Sequence, residues 1–217
     1  MRIQRLFTVS ILIAAACIIM GAANARSENE LAKKFAAAYQ SSNGPLMTSI
    51  VRDNKPGVPD AVNAITGEAG ALWQADEREA RFDMAEMMAR LYADYSGDTS
   101  LIVAVKRRAF DARLSKPERP APVGGAYVVE TPRPAPGVKN VFQPNNIIVR
   151  KGSTVRWVNK DNTAHIFASM PVIGEGGISS PPVEPGDAYE RKFDKPGEYF
   201  YICFIHKSMY GKITVEE

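Results

Sequence analysis

The stretch KPGEYFYICFIHKSMYGKITV, residues 195–215, decides the fold. Lys195-Pro196-Gly197 is a turn signal. Glu198 to Phe204 and Lys212 to Val215 on either side of a tight loop are rich in aromatic and β-branched residues, the composition of strands. Outward from here the pattern repeats. Ile147 to Val149, Val155 to Val158, Ile166 to Ala168 and Tyr189 to Phe193 are further short runs of this kind. Lys151-Gly152, Lys160-Asp161-Asn162, Gly174 to Gly177 and Pro185-Gly186 punctuate them. Short strands at this spacing predict an all-β sandwich over residues 138–217.

Upstream, Pro117, Pro120, Pro122, Pro132, Pro134 and Pro136 flank Gly124-Gly125. That density of proline suits neither a helix interior nor a central strand, so residues 117–137 are expected to form a linker, interrupted by a short strand at Ala126 to Glu130. Residues 26–116 read as helical. From Glu68 to Tyr95 the apolar residues Leu72, Trp73, Ala80, Met84, Met87, Met88, Leu91 and Tyr95 recur at intervals of three or four, which places most of them on one helix face. Shorter helices are expected at Asn29 to Gln40, Pro59 to Thr66 and Thr99 to Leu114. The predicted fold class is α+β multidomain, a small N-terminal helical bundle of three or four helices followed by the sandwich.

The first 25 residues have a different logic. Arg2 and Arg5 precede an apolar run from Leu6 to Met20, and Ala23-Asn24-Ala25 has the A-x-A form of a cleavage site. The run is shorter than the roughly 20 residues a membrane-spanning helix needs, so residues 1–25 are read as a signal peptide and the mature chain as exported to the periplasm, without a membrane span after cleavage; an uncleaved anchor is the lesser reading. Cleavage removes Cys17 and leaves Cys203 alone, so no intramolecular disulfide is available. A lone thiol in an oxidising compartment calls for burial or chemistry such as metal ligation. Without Arg2 and Arg5, the 27 Lys+Arg fall to 25 against 24 Asp+Glu, a net of +1. A balance so near zero implies no field for nucleic acid.

The chemistry-bearing residues converge on the sandwich. His165 and His206 are the chain's two histidines, and Cys203 and Met209 share the loop with His206. Two imidazoles, one thiolate and one thioether make a soft set suited to one copper ion in an electron-transfer site, with the methionine as a weak axial ligand. Cys203-x-x-His206-x-x-Met209 puts three donors on one tight loop, while His165 is expected from an earlier strand on the far side of the core. Zinc would leave Met209 without a role.

With these residues in view, the sequence resembles the cupredoxins, the plastocyanin and amicyanin group in particular. Phe142-x-Pro144, Ile147-x-Val149-x-x-Gly152-x-x-Val155-x-Trp157-x-Asn159-x-Asp161 and His165 carry the first half of the resemblance. Pro196-Gly197-x-Tyr199-x-Tyr201-x-Cys203-x-x-His206-x-x-Met209-x-Gly211-x-Ile213-x-Val215 carries the second. The two residues between His206 and Met209 look more like amicyanin than plastocyanin. The resemblance implies a Greek-key sandwich with a type 1 (blue) copper that passes single electrons between redox partner proteins. Ile205 before the loop histidine, and Ala164 and Ile166 around His165, depart from the group's usual neighbours. Those positions bear on the reduction potential rather than on ligation.

The chain is therefore expected not to be an enzyme. A nitrite reductase or multicopper oxidase needs further histidines for a second copper, and none remain. Copper storage or delivery is the alternative function, resting on Met84, Met87 and Met88 as a thioether site; a methionine-rich apolar face is ordinarily core. Trp157 and Phe142 are read as packing residues.

Overall fold

The computed structural model describes residues 29–72 and 74–217, so the expected signal peptide with Cys17, and Trp73, lie outside the described residues. The fold is α+β, in two units, one ending at Ala109 and the other running from Phe110 to Glu217.

The first unit is built of α1 (Glu30–Gln40), α2 (Gly44–Asp53), a 3-10 turn at Lys55–Gly57, α3 (Val58–Ala71), α4 (Ala75–Ser96) and most of α5 (Ser100–Asp111). Asn29 caps α1 by accepting the Ala32 N–H at 3.1 Å, satisfying one of the free donors of the first turn. Helix α2 was not expected from the sequence. Its signal was there: Asn43 accepts the Leu46 N–H at 3.1 Å, and Pro45 sits in the first turn, where its missing N–H costs nothing. The periodic stretch from Glu68 to Tyr95 is two helices rather than one. The chain leaves helical geometry at Leu72 (φ −77°, ψ 128°) and re-enters at Ala75, with Asp76 and Glu77 in the first turn of α4, where carboxylates favour the positive end of the helix dipole. Apolar spacing continues through the break because both helices bury a face. Met84 and Met88 are buried while Met87 is exposed, the distribution of a core stripe and its edge.

The second unit holds β1 (Ala126–Pro132), β2 (Asn146–Arg150), β3 (Ser153–Lys160), β4 (Phe167–Ser169), β5 (Ala188–Phe193), β6 (Gly197–Cys203) and β7 (Tyr210–Glu216). They form a three-stranded sheet in the order β1-β3-β5 and a four-stranded sheet in the order β2-β7-β6-β4. Strands β1 and β3 are parallel, as are β2 and β7; the remaining pairs are antiparallel. Alternation along each strand sends Val155 and Trp157 from one sheet, and Ile147, Ile213, Tyr199, Tyr201 and Cys203 from the other, into one shared core. Trp157 stacks among Phe167, Tyr189, Phe193 and Tyr201, which agrees with a packing role. Gly211 lies opposite Tyr201 on β7, and a Cβ there would run into the Tyr201 ring.

Strand β1 lies within the proline-rich residues 117–137. It is an edge strand and Pro132 is its last residue, so the missing N–H breaks no interior ladder. Just upstream, Glu118 exchanges backbone hydrogen bonds with the Asn146–Ile148 segment at 2.9 and 2.8 Å. The outer face of the four-stranded sheet is covered as well: Phe110 meets Phe200 and Tyr210 edge-on, both at 5.2 Å between ring centroids, beside Ile173, Leu114, Met170 and Ile202. Among the described residues no helix is long and apolar enough to cross a membrane.

Candidate metal centre

Strand β4 runs antiparallel to β6 with Phe167 opposite Cys203. Moving back along the chain from Phe167 therefore advances past the end of β6, and His165 stands there. Its backbone is pinned by a two-way exchange with Val183, at 3.1 Å and 2.8 Å. This corrects the expectation that His165 comes from the far side of the core: it belongs to the edge of the sheet that carries Cys203. Spacing alone could not reveal that β4 and β6 are neighbours.

The loop after Cys203 is closed on itself. The Cys203 N–H donates to the Met209 carbonyl at 3.3 Å, and the Met209 N–H donates to the His206 carbonyl at 3.1 Å. The Phe204 N–H donates to the Ile166 carbonyl at 2.7 Å, tying the loop to the residue beside His165. The Ser208 hydroxyl donates to the Asn140 carbonyl at 2.8 Å. Cys203 and Met209 are buried in the inter-sheet core, His165 is fully buried, and His206 is half-buried.

His165, Cys203 and His206 converge as a group able to hold a metal ion. Cys203 Sγ lies 3.5 Å from His165 Nδ1 and 3.7 Å from His206 Nδ1, and the two Nδ1 atoms are 3.1 Å apart. A point equidistant from the three atoms is about 2.0 Å from each, the length of a metal–imidazole bond and a little under a metal–thiolate bond. The donors thus fit a small, soft cation without rearrangement. Met209 lies in the same apolar cluster, at the closing end of the loop.

Electrostatics prepare the thiolate. Burial pushes the Cys203 thiol up, but the His165 imidazole and the backbone N–H groups of His206, Ile166 and Ile205 outweigh it and bring the thiol down to about 6. Burial lowers the His165 pKa, yet the Cys203 sulfur and the Asp161 carboxylate more than compensate, leaving it above the ordinary imidazole value. Both shifts favour the charged partners, thiolate and imidazolium, over the neutral pair.

Behind His165 stands a residue the sequence showed only as part of a turn signal and a motif. Asp161 Oδ2 lies 3.1 Å from His165 Nε2, and both side chains are almost wholly buried. The same oxygen accepts Asn140 Nδ2 and the Thr163 hydroxyl, each at 2.8 Å, while Oδ1 accepts the Asn162 N–H at 2.7 Å. Burial raises the Asp161 carboxyl, and the Asn162 N–H, the Thr163 hydroxyl and His165 outweigh it, so the group stays below the usual carboxylate range. Buried Asn159 braces the turn, accepting the Asp161 N–H at 2.9 Å and donating to the Thr163 and Val183 carbonyls, both at 2.8 Å. The signal available in sequence was the spacing Asp161-x-x-x-His165.

Residues 135–216 match the copper binding proteins of the plastocyanin/azurin family. The plastocyanin of Scenedesmus fuscus is 34% identical over 85 residues, which cover 35% of this chain and 87% of that protein. The chain belongs to the plastocyanin/azurin family of copper-binding proteins. Amicyanin-alpha of Methylorubrum extorquens is another relative, 36% identical over 80 residues, covering 36% of this chain and 66% of the relative. The chain thus spans just under two thirds of the length of that amicyanin. Among solved structures, a purple cupredoxin from Nitrosopumilus maritimus is 31% identical, with 42% of this chain and 99% of that one covered and a TM-score of 0.38. Membership in this family and the His-Cys-His group together give the cofactor as one type 1 copper.

Proposed function

We propose that the chain is an exported electron carrier in which His165, Cys203 and His206 hold the copper and Met209 is the weak axial ligand. The observation that carries this reading is the convergence of one thiolate and two imidazole nitrogens at metal-bonding distance, on a loop and a strand edge that the sheet holds together. Copper bound there would supply a one-electron Cu(II)/Cu(I) couple. The protein residues keep the site closed and the donors fixed: the loop hydrogen bonds hold Cys203 and His206, and the Val183 exchange holds His165. Donors that do not move between oxidation states keep reorganisation small.

The exit for the electron is His206. It is half-buried, next to Phe204 at 74% and Ile205 at 49% exposure, so its ring edge lies in an apolar patch that a redox partner protein can cover without stripping tightly held water. Tyr201 is buried and faces the core with Cys203, which does not favour a second route along β6. The pattern in residues 1–25 supports delivery to the periplasm. The strand order supports a Greek-key sandwich, and the five α-helices among the described residues support a small bundle that precedes it in sequence. Burial of Met84 and Met88 gives no support to copper storage in that bundle.

Copper titration of the purified protein with a visible spectrum tests the reading. About one copper per chain is expected, with an intense blue or green thiolate-to-metal band that reductant bleaches. A colourless protein that takes zinc in preference would overturn it.

A further inference from the structure

We propose that Asp161 is a positioning residue for the metal centre: its carboxylate holds the His165 proton on Nε2, turns the Nδ1 lone pair toward Cys203, and lowers the reduction potential. The inference rests on the copper reading above. Its geometry stands apart from that reading.

Three observations carry it. First, Asp161 Oδ2 is 3.1 Å from His165 Nε2, on the side of the ring opposite the donor atom Nδ1, which itself lies 3.5 Å from Cys203 Sγ. A neutral imidazole carries one proton, and a carboxylate can only accept. The proton is therefore placed on Nε2, and Nδ1 is left with a free lone pair aimed at the metal position. Second, the carboxylate cannot turn away. Asn140 and Thr163 bond the same oxygen that meets His165, Asn162 bonds the other, and Asn159 fixes the backbone. Third, the pair is sealed from water, with side-chain exposures of 0% for His165 and 2% for Asp161.

The sign of the effect follows from charge. Reduction removes one unit of positive charge from the centre, so a nearby buried anion stabilises the oxidised form more than the reduced form. With ~7 Å between carboxylate and metal and an effective dielectric constant of about 20, the interaction amounts to a factor of roughly 50 in the ratio of Cu(II) to Cu(I) affinity. The three other donors on the carboxylate spread its charge and reduce that factor, and they give the proposal its second handle: removing one of them should strengthen the field on His165.

The test compares Asp161→Asn, which keeps the shape and removes the charge, with Asn140→Leu, which removes one competing donor from Oδ2. Potentials of the copper-loaded full chain are measured by redox titration. Asp161→Asn should raise the potential by a tenfold or greater change in affinity ratio, about 59 mV for one electron. Asn140→Leu should lower it, by a smaller factor. Shifts of opposite sign are what a charge effect demands, and a general loosening of the site would not produce them. An unchanged potential in Asp161→Asn, or shifts of the same sign in both variants, would overturn the proposal. If Asp161→Asn does not load copper, the sign for Asn140→Leu decides.

A second readout needs no copper. Imidazole nitrogen-15 shifts of the metal-free protein, on the alkaline side of the ring's titration, should show His165 as the Nε2–H tautomer in the parent. They should show mixed tautomers in Asp161→Leu, whose side chain offers no acceptor to Nε2–H. A tautomer indifferent to Asp161 would refute the positioning role even if the copper reading holds. An Nε2–H tautomer in a chain that binds no copper would refute the copper reading and support the positioning role.

Discussion

His165 and His206 present the same atom, Nδ1, to the same sulfur, yet the two sides of the centre are built differently. His165 is fully buried, its backbone is locked to Val183 and its outer nitrogen faces a buried carboxylate. His206 is half-buried on a loop whose neighbours Phe204 and Ile205 face outward. On the inference drawn above, the inner side would set where the metal goes and how strongly each oxidation state is held. In the reading proposed above, the outer side would give the electron a way through. One residue type serves both ends because its surroundings, not its identity, decide which task it performs.

The deepest break removes the atom common to both sides. Cys203→Ser should abolish the intense visible band, because a hydroxyl cannot act as the charge-transfer donor; a spectrum of the copper-loaded variant that stayed coloured would show that Cys203 is not the thiolate ligand. Next come the histidines one at a time. His206→Gly opens a cavity that solvent can reach, so added imidazole should restore the band. His165→Gly opens one behind the sheet edge, and imidazole should fail there. Equal rescue at both positions would erase the distinction between a sealed and an open side.

Ile205→Lys places a charge on the open side alone. The band should stay while the bimolecular rate of reduction by a physiological partner falls several-fold, as it does when a charge is put on a contact surface. An unchanged rate across ionic strengths would move the docking surface elsewhere. The smallest effect is on protons. In metal-free protein the Cys203 thiol should titrate near 6, against an ordinary value of about 8.5, as read by alkylation rate against pH. A depressed thiol contributes stability that is present above its unfolded value and is lost as pH falls through about 6. The raised His165 offsets this above the ordinary imidazole value of about 6.5, so metal-free protein should lose stability only as pH falls below that value and through about 6, and Cys203→Ser should flatten that part of the pH profile.

Much of this was legible in residues 138–217. Strands of alternating burial, a lone cysteine and two histidines leave few arrangements, and Cys203, His206 and Met209 are local in sequence. What depends on pairing between distant segments was harder to read. His165 was expected across the core because nothing in its own neighbourhood says that β4 lies against β6. Asp161 was legible as a turn residue, while its contact with His165 exists only once Asn159 folds the turn back. In the helices, periodic apolar residues ran through the break at Leu72 because the helices on either side of it each bury an apolar face.

Phe110 has a consequence for portability. The family match begins at residue 135, yet the outer face of the four-stranded sheet is covered by the end of α5 and the residues after it. A piece cut at the family boundary would strip Phe110 and Leu114 from Phe200, Ile202 and Tyr210, and newly exposed apolar surface of that kind drives self-association. The unit that evolution or an engineer could transplant intact therefore starts with the last turn of a helix, about two dozen residues before the homologous segment begins.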